Sequence, residues 1–177
     1  MLKKGALTLL FLSSFLYGQN QRGYIVQTGD MAPQFIVETN DKKIFSLKEN
    51  LGKVIMVQFT ASWCSVCIKE MPVIEEEIWQ QYQNNDDFIL IALAKDTEKR
   101  KQDEKEIELM INRTGITYPI GRDQNSKIFN LFAEEKAGVT RNIIIDKNGE
   151  IAFLTRLFEQ DEFNQMKIKI AELLQNK

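Results

Sequence analysis

The chain has 177 residues, 44% hydrophobic and 27% charged, a balance typical of one globular domain with a sizeable core. Its formal net charge of −2 provides no broad basic field, so the composition argues against nucleic-acid binding. The sequence contains no histidine, which excludes Cys-His and Ser-His catalytic pairs and histidine-ligated metals, and we predict no metal or other cofactor.

The first 18 residues have the pattern of a secretory signal peptide. Lys3 and Lys4 form a positive start, residues 6–17 are mainly apolar, and Gly18 is small enough to precede a cleavage site. The apolar stretch is short for a membrane span, so we expect no transmembrane segment after cleavage, with an uncleaved anchor as the alternative. Export to the periplasm or another extracytoplasmic compartment is therefore predicted, where disulfides persist.

A polar lead-in at residues 19–28 precedes a single predicted domain at residues 29–177. Two short extended pieces, at 33–37 and 43–47, flank a turn signal at Asn40-Asp41. Apolar runs predict strands or short extended pieces at residues 54–59, 88–94, 116–120, 142–146 and 151–157. Apolar residues at helical spacing predict helices at residues 68–79, around 107–114, around 128–132 and from 161 onward. This order indicates an α/β fold with a central mixed β-sheet flanked by helices.

Both cysteines lie in Trp63-Cys64-Ser65-Val66-Cys67, between a predicted buried strand and a predicted helix. The first turn of a helix has unpaired N–H groups and a partial positive charge, which favour a thiolate. Cys64 is therefore predicted to be the attacking, exposed thiol, and Cys67, about one turn later, the resolving thiol. A zinc site is disfavoured because the chain has no third cysteine and no histidine. A purely structural disulfide is the stronger alternative, although so short a loop constrains the unfolded chain little.

Two further features follow this motif. Pro72 lies inside the predicted helix and should bend it, because proline supplies no backbone N–H. Residues 95–105 carry dense charge of both signs, and we expect a solvated loop and helix face there rather than a binding patch.

Taken together, these motifs resemble the thioredoxin-fold, TlpA/ResA-type family of exported thiol–disulfide oxidoreductases, with redoxin and AhpC/TSA-like relatives. The resemblance runs from about Gly29 to the C-terminus. Its motifs lie at residues 29–35, 52–53, 59–67, 70–72 and 145–151. It implies a thioredoxin-like fold with an N-terminal strand extension and an inserted strand–helix segment. It also implies electron transfer to protein disulfides or cytochrome maturation partners, with a membrane-linked thiol as electron donor.

The resemblance also implies a role for Glu70, which matches a family glutamate placed near the buried thiol. Glu70 lies three residues after Cys67, on the same helix face. A half-buried carboxylate with a raised pKa could take and return the proton of Cys67, and an ordinary surface glutamate is the alternative. Gln58 stands where cytosolic thioredoxins carry a buried aspartate, and an amide cannot exchange a proton at neutral pH.

The chain departs from the family at Thr140, the place where the thioredoxin fold usually presents a cis-proline. A non-proline cis bond costs roughly 2.5–4 kcal/mol, so we expect a trans bond between Val139 and Thr140. In the family this loop offers backbone groups to an extended substrate peptide. Trp63, Val139, Thr140 and Arg141 are therefore the candidate substrate-binding residues. Peroxiredoxins also lack this proline and have an arginine nearby, whereas a plain surface arginine is the alternative for Arg141.

Three functions are compatible with the sequence. The first is a thiol–disulfide oxidoreductase acting as a reductase of protein disulfides through Cys64 and Cys67. The second is a peroxiredoxin-like thiol peroxidase, but its P-x-x-x-[ST]-x-x-C pattern fails because Val57 and Ala61 occupy the positions upstream of Cys64. The third is a non-enzymatic binding domain whose disulfide is only structural.

Overall fold

The computed structural model describes residues 23–175, so the predicted signal peptide at residues 1–18 lies outside the described residues. The strands are β1 (Ile36–Glu38), β2 (Ile44–Ser46), β3 (Val54–Thr60), β4 (Phe88–Lys95), β5 (Ile120–Asp123), β6 (Arg141–Ile145) and β7 (Ile151–Leu154). The α-helices are α1 (Ser65–Ile74), α2 (Gln80–Tyr82), α3 (Glu104–Thr114), α4 (Phe129–Phe132) and α5 (Gln160–Gln175). Within residues 23–175 we find no helix that is both long and apolar enough to cross a membrane.

Five strands form the central sheet in the order β5-β4-β3-β6-β7. Strands β3, β4 and β5 run parallel, whereas β6 is antiparallel to β3 and β7 is antiparallel to β6. Every residue of the central strand β3 is buried, as expected for an apolar strand covered on both faces. Helices α1, α3 and α5 pack on one face of the sheet, and α4 with the β1–β2 hairpin packs on the other. The predicted mixed sheet flanked by helices is confirmed.

The N-terminal extension covers one edge of this sheet. Strands β1 and β2 form an antiparallel hairpin, and Thr39 at its turn bridges to Gly121 of the edge strand β5. A side chain at Gly121 would collide with the hairpin, because a Cβ atom there would lie 2.6 Å from Cγ2 of Val37. Between strand β4 and helix α4 the chain forms helix α3 and then strand β5.

The helix that carries the cysteines changes its winding after Pro72. Helix α1 ends at Ile74 and continues into a wider, π-helical turn at Glu75–Trp79. Proline cannot donate a hydrogen bond to the preceding turn, and the π-helical winding begins three residues after Pro72. Glu75 anchors the wide turn, because its carboxylate accepts hydrogen bonds from the backbone N–H of Thr117 (2.7 Å) and from its hydroxyl (2.8 Å).

Three predicted boundaries differ from the structure. The helix after the cysteines begins at Ser65 rather than Ile68, because Cys64 caps its first turn. Strand β5 begins only at Ile120, so most of the predicted extended piece at 116–120 is loop. Strand β7 ends at Leu154 rather than Leu157, and Leu157 itself has a φ of 65°, which does not fit a strand.

Candidate active site

Strand β3 delivers the two cysteines to the start of helix α1, where they form a disulfide. The Sγ atom of Cys64 accepts a hydrogen bond from the backbone N–H of Cys67 at 3.2 Å, so this sulfur is the N-cap of the helix. Cys64 keeps 9% of its surface exposed, whereas Cys67 is fully buried. Cys64 is therefore largely buried, contrary to the predicted exposed thiol, but it is the more accessible of the two cysteines.

The loop before β6 places Thr140 against both sulfurs. Its hydroxyl oxygen lies 3.2 Å from Sγ of Cys64 and 3.2 Å from Sγ of Cys67. Thr140 and Val139 are both buried, and their peptide bond is trans, like every other peptide bond of residues 23–175. The prediction of a trans bond is confirmed, and a hydroxyl group now stands where the family places a proline ring.

Glu70 lies one turn beyond Cys67 and is only 1% exposed, so the surface-glutamate alternative is wrong and the burial exceeds the predicted half. Its two carboxylate oxygens accept hydrogen bonds from Nδ2 of Asn142 (2.7 Å) and Nε2 of Gln58 (3.4 Å). Burial raises the pKa of Glu70 to about 7, which outweighs the lowering effect of these two hydrogen bonds. A carboxyl group with this pKa can gain and lose a proton near neutral pH.

The hydrogen bonds of Glu70 belong to a wider buried network that sequence reasoning did not find. The hydroxyl of Tyr118 donates to Oε1 of Gln58 at 2.9 Å. Asn142 also donates from Nδ2 to the hydroxyl oxygen of Thr155 at 3.1 Å. The available signal was Asn142 itself, because a buried amide at the start of an apolar strand needs a polar partner.

Arg141 is fully buried, so the surface-arginine alternative is wrong. Its guanidinium lies over the ring of Tyr24, 4.3 Å from the ring centroid, and its Nε donates to the carbonyl of Gly138 at 2.9 Å. Arg141 pairs with Phe59 across β6 and β3, which turns its side chain toward the core face that holds Tyr24. A direct contact of this side chain with a substrate would require the guanidinium to leave that position.

Trp63 is the exposed side chain beside the cysteines, with 39% of its surface accessible. The guanidinium of Arg100 stacks over its ring at 4.6 Å from the centroid. Gln102 holds this loop in place, because its side-chain oxygen accepts a hydrogen bond from the backbone N–H of Ser62 at 2.8 Å. The charged segment therefore reaches the cysteine motif, which the predicted solvated loop did not anticipate.

Residues 98–101 and 103–105 of that segment are exposed, as predicted, but three of its other residues are buried. These three are Lys95, Asp96 and Gln102. Burial lowers the pKa of Lys95 to about 8. Its ammonium group donates to the carbonyl of Glu135 at 3.0 Å and lies 3.4 Å from the ring centroid of Phe129. The charge pattern of the segment does not predict these contacts of Lys95, because the partner residues lie far away in the sequence.

Comparison with known proteins adds independent evidence. The sequence model of the Redoxin family matches residues 27–170. The thiol-disulfide oxidoreductase ResA of Bacillus anthracis is 27% identical over 126 residues, which cover 71% of this chain and 68% of that protein.

Two solved structures are similar to that of this chain. A Bacteroides thetaiotaomicron protein, provisionally named a protein disulfide isomerase, is 44% identical with a TM-score of 0.82, covering 87% of this chain and 94% of that chain. A Chlorobium tepidum protein, provisionally named thiol:disulfide interchange protein DsbE, is 19% identical with a TM-score of 0.67, covering 84% and 99%, and supports the fold alone. The chain therefore belongs to the Redoxin family, among the thioredoxin-fold proteins of the TlpA/ResA type that its motifs resemble.

Proposed function

We propose that this protein is a thiol–disulfide oxidoreductase that reduces disulfides in other proteins. The observation that carries the proposal is the disulfide-bonded cysteine pair at the N-terminus of helix α1, with Cys64 9% exposed and Cys67 fully buried. The ResA relative and the disulfide isomerase-like structure support the same reaction class.

The reaction begins with the dithiol form of the protein. The thiolate of Cys64 attacks one sulfur of the substrate disulfide and forms a mixed disulfide, while the other substrate sulfur leaves as a thiolate. Cys67 then loses its proton and attacks Sγ of Cys64, which releases the second substrate thiolate and closes the disulfide seen in the structure. Two electrons pass to the substrate, and the protein must be reduced again before the next cycle.

Glu70 is proposed as the group that accepts the proton of Cys67 in the second step. Three features support this role, namely the shared helix face, the complete burial of both residues and a pKa of about 7. The carboxylate is already held by Asn142 and Gln58, so the proton arrives at a group with a fixed position.

Substrate binding is proposed to use the surface around Cys64. Trp63 offers an exposed aromatic face, and Val139 and Thr140 belong to the loop that places the Thr140 hydroxyl oxygen 3.2 Å from both sulfurs. We further propose that the signal-like segment at residues 1–18 directs the protein to an extracytoplasmic compartment. A membrane-linked thiol donor would then supply the electrons, because the compartment itself favours disulfides.

The test measures the turnover of insulin disulfides by residues 19–177, which is the chain without the predicted signal peptide. Cys64→Ser should abolish turnover, and Cys67→Ser should accumulate a mixed disulfide because nothing resolves it. Ser65→Ala is the matched control, since Ser65 is exposed between the cysteines and carries no sulfur. Equal turnover by wild type and Cys64→Ser would contradict the proposal. Rapid, Cys64-dependent consumption of hydrogen peroxide without insulin turnover would favour the peroxidase function instead.

A further inference from the structure

We propose that the hydroxyl group of Thr140 is a catalytic group, a hydrogen-bond donor that moves between the two sulfurs as the negative charge moves between them. This inference rests on the proposed function, since it concerns a step of that reaction. It gives Thr140 a chemical role through its side chain, in addition to the backbone contact with substrate that its position in the loop suggests.

The geometry allows this exchange without any displacement of the oxygen atom. Oγ1 of Thr140 lies 3.2 Å from Sγ of Cys64 and equally 3.2 Å from Sγ of Cys67. A hydroxyl group has one hydrogen and two lone pairs, so it donates to one sulfur at a time and can accept from a thiol at the other. Rotation of the O–H bond alone changes which sulfur receives the hydrogen.

The oxygen is also held in place. Threonine is β-branched, which restricts its χ1 angle, and the carbonyl of Thr140 accepts a hydrogen bond from the backbone N–H of Leu157 at 3.1 Å. The next residue, Arg141, is fixed by the ring of Tyr24 and the carbonyl of Gly138. Thr140 is buried, so little water competes for its hydroxyl group, and a hydrogen bond to a thiolate is stronger in such surroundings.

Each step of the reaction then uses the hydroxyl differently. In the dithiol form the thiolate of Cys64 would accept hydrogen bonds from the Thr140 hydroxyl and from the Cys67 backbone N–H, the two groups that lie 3.2 Å from its sulfur in the disulfide form, while the thiol of Cys67 would donate to Oγ1. Attack by Cys64 moves the charge to the leaving substrate thiolate. When Cys67 passes its proton to Glu70, the hydroxyl hydrogen of Thr140 turns to the Cys67 sulfur and stabilises the second nucleophile. The dithiol thiolate, the substrate disulfide and one proton thus give the protein disulfide and two substrate thiols.

The experiment measures how fast Cys64 of the reduced protein is alkylated by iodoacetamide as a function of pH, with mass spectrometry to identify the modified cysteine. Thr140→Val keeps the shape but removes the hydroxyl, and Thr140→Ser keeps the hydroxyl. Below the midpoint of the wild-type profile, Thr140→Val should react about tenfold more slowly, because a hydrogen bond to a charged group is lost. Thr140→Ser should stay within about twofold of wild type, because the donor is retained.

Two results would overturn the inference. The first is a Thr140→Val profile that superimposes on that of wild type. The second is an equal loss in Thr140→Val and Thr140→Ser, which would assign the effect to packing. The alkylation profile of Thr140→Ala is measured in parallel. Each variant is compared with wild type only if the two circular dichroism spectra match.

The assay contains no disulfide substrate, so its outcome is separate from that of the proposed function. Absence of insulin turnover by wild type would remove the proposed function whatever the alkylation profiles show. Normal turnover with identical profiles for all Thr140 variants would remove only the role of the hydroxyl.

Discussion

Glu70 should make the stability of the protein fall as the pH rises from acidic to neutral. Burial raises its pKa from 4.5 in the unfolded chain to about 7 in the folded protein. The folded state therefore holds this proton more tightly than the unfolded state does, and protonation favours folding. The stabilisation by this proton is complete below about pH 4.5 and is lost progressively as the pH rises to about 7. Above that pH the stability changes no further through Glu70. The difference between these two pKa values corresponds to a loss of about 3 kcal/mol of unfolding free energy over this pH range.

The informative substitution is Glu70→Gln, which keeps the shape of the side chain and removes its charge. Asn142 can still donate to the oxygen of the new amide. Gln58 must turn its own amide over to accept from the new NH₂ group, and the hydroxyl of Tyr118 can then accept instead of donating. The variant should therefore lack the pH dependence that belongs to Glu70 and should be more stable than wild type at pH 8 by up to about 3 kcal/mol.

Urea unfolding of the oxidised protein, followed by tryptophan fluorescence between pH 4.5 and 8, measures this difference. Other titrating groups, including the buried Asp123, are present in both proteins and cancel in the comparison. Glu76→Gln is the matched control, because Glu76 is exposed on the same helical segment. A difference between Glu70→Gln and wild type that stays constant across the whole pH range would refute the reasoning.

Three further predictions concern stability and are measured by urea unfolding at pH 7. Gly121→Ala should cost about 1–3 kcal/mol, because its Cβ would lie 2.6 Å from Val37 Cγ2, whereas Gly138→Ala meets nothing within 4 Å and should be nearly neutral. Gly115→Ala should cost about 1 kcal/mol, because this residue ends helix α3 with a φ of 70°. Asp123→Ala should cost about 1–3 kcal/mol, because the Asp123 carboxylate accepts hydrogen bonds from the backbone N–H groups of Ile128 (2.7 Å) and Phe129 (2.8 Å) at the start of helix α4.

Local patterns were sufficient for the elements that position the site. The apolar runs identified β3 and β4, because both strands are buried on both faces and carry no competing signal. Gly115 marked the end of α3, because its left-handed backbone suits glycine. The cysteine motif between strand and helix identified the reacting groups, because helix geometry fixes where both residues lie.

The surroundings of those groups depend on contacts between distant parts of the chain. Glu70 is buried because Asn142, 72 residues later, comes to lie beside it. Arg141 is buried because Tyr24, more than one hundred residues earlier, covers its guanidinium. A charge in a sequence usually indicates a solvated side chain, and only the tertiary partner reverses that expectation.

The register of β6 against β3 connects these distant contacts. Asn142 lies opposite Gln58, and Arg141 lies opposite Phe59. Side chains alternate along a strand, so Asn142 points toward helix α1, where it meets Glu70, while Arg141 points to the other face and meets Tyr24. A shift of one residue would exchange these faces, which would take Asn142 away from Glu70 and Arg141 away from Tyr24. The hydrogen bond that positions Glu70 thus depends on a single strand pairing, which no local stretch of the sequence specifies.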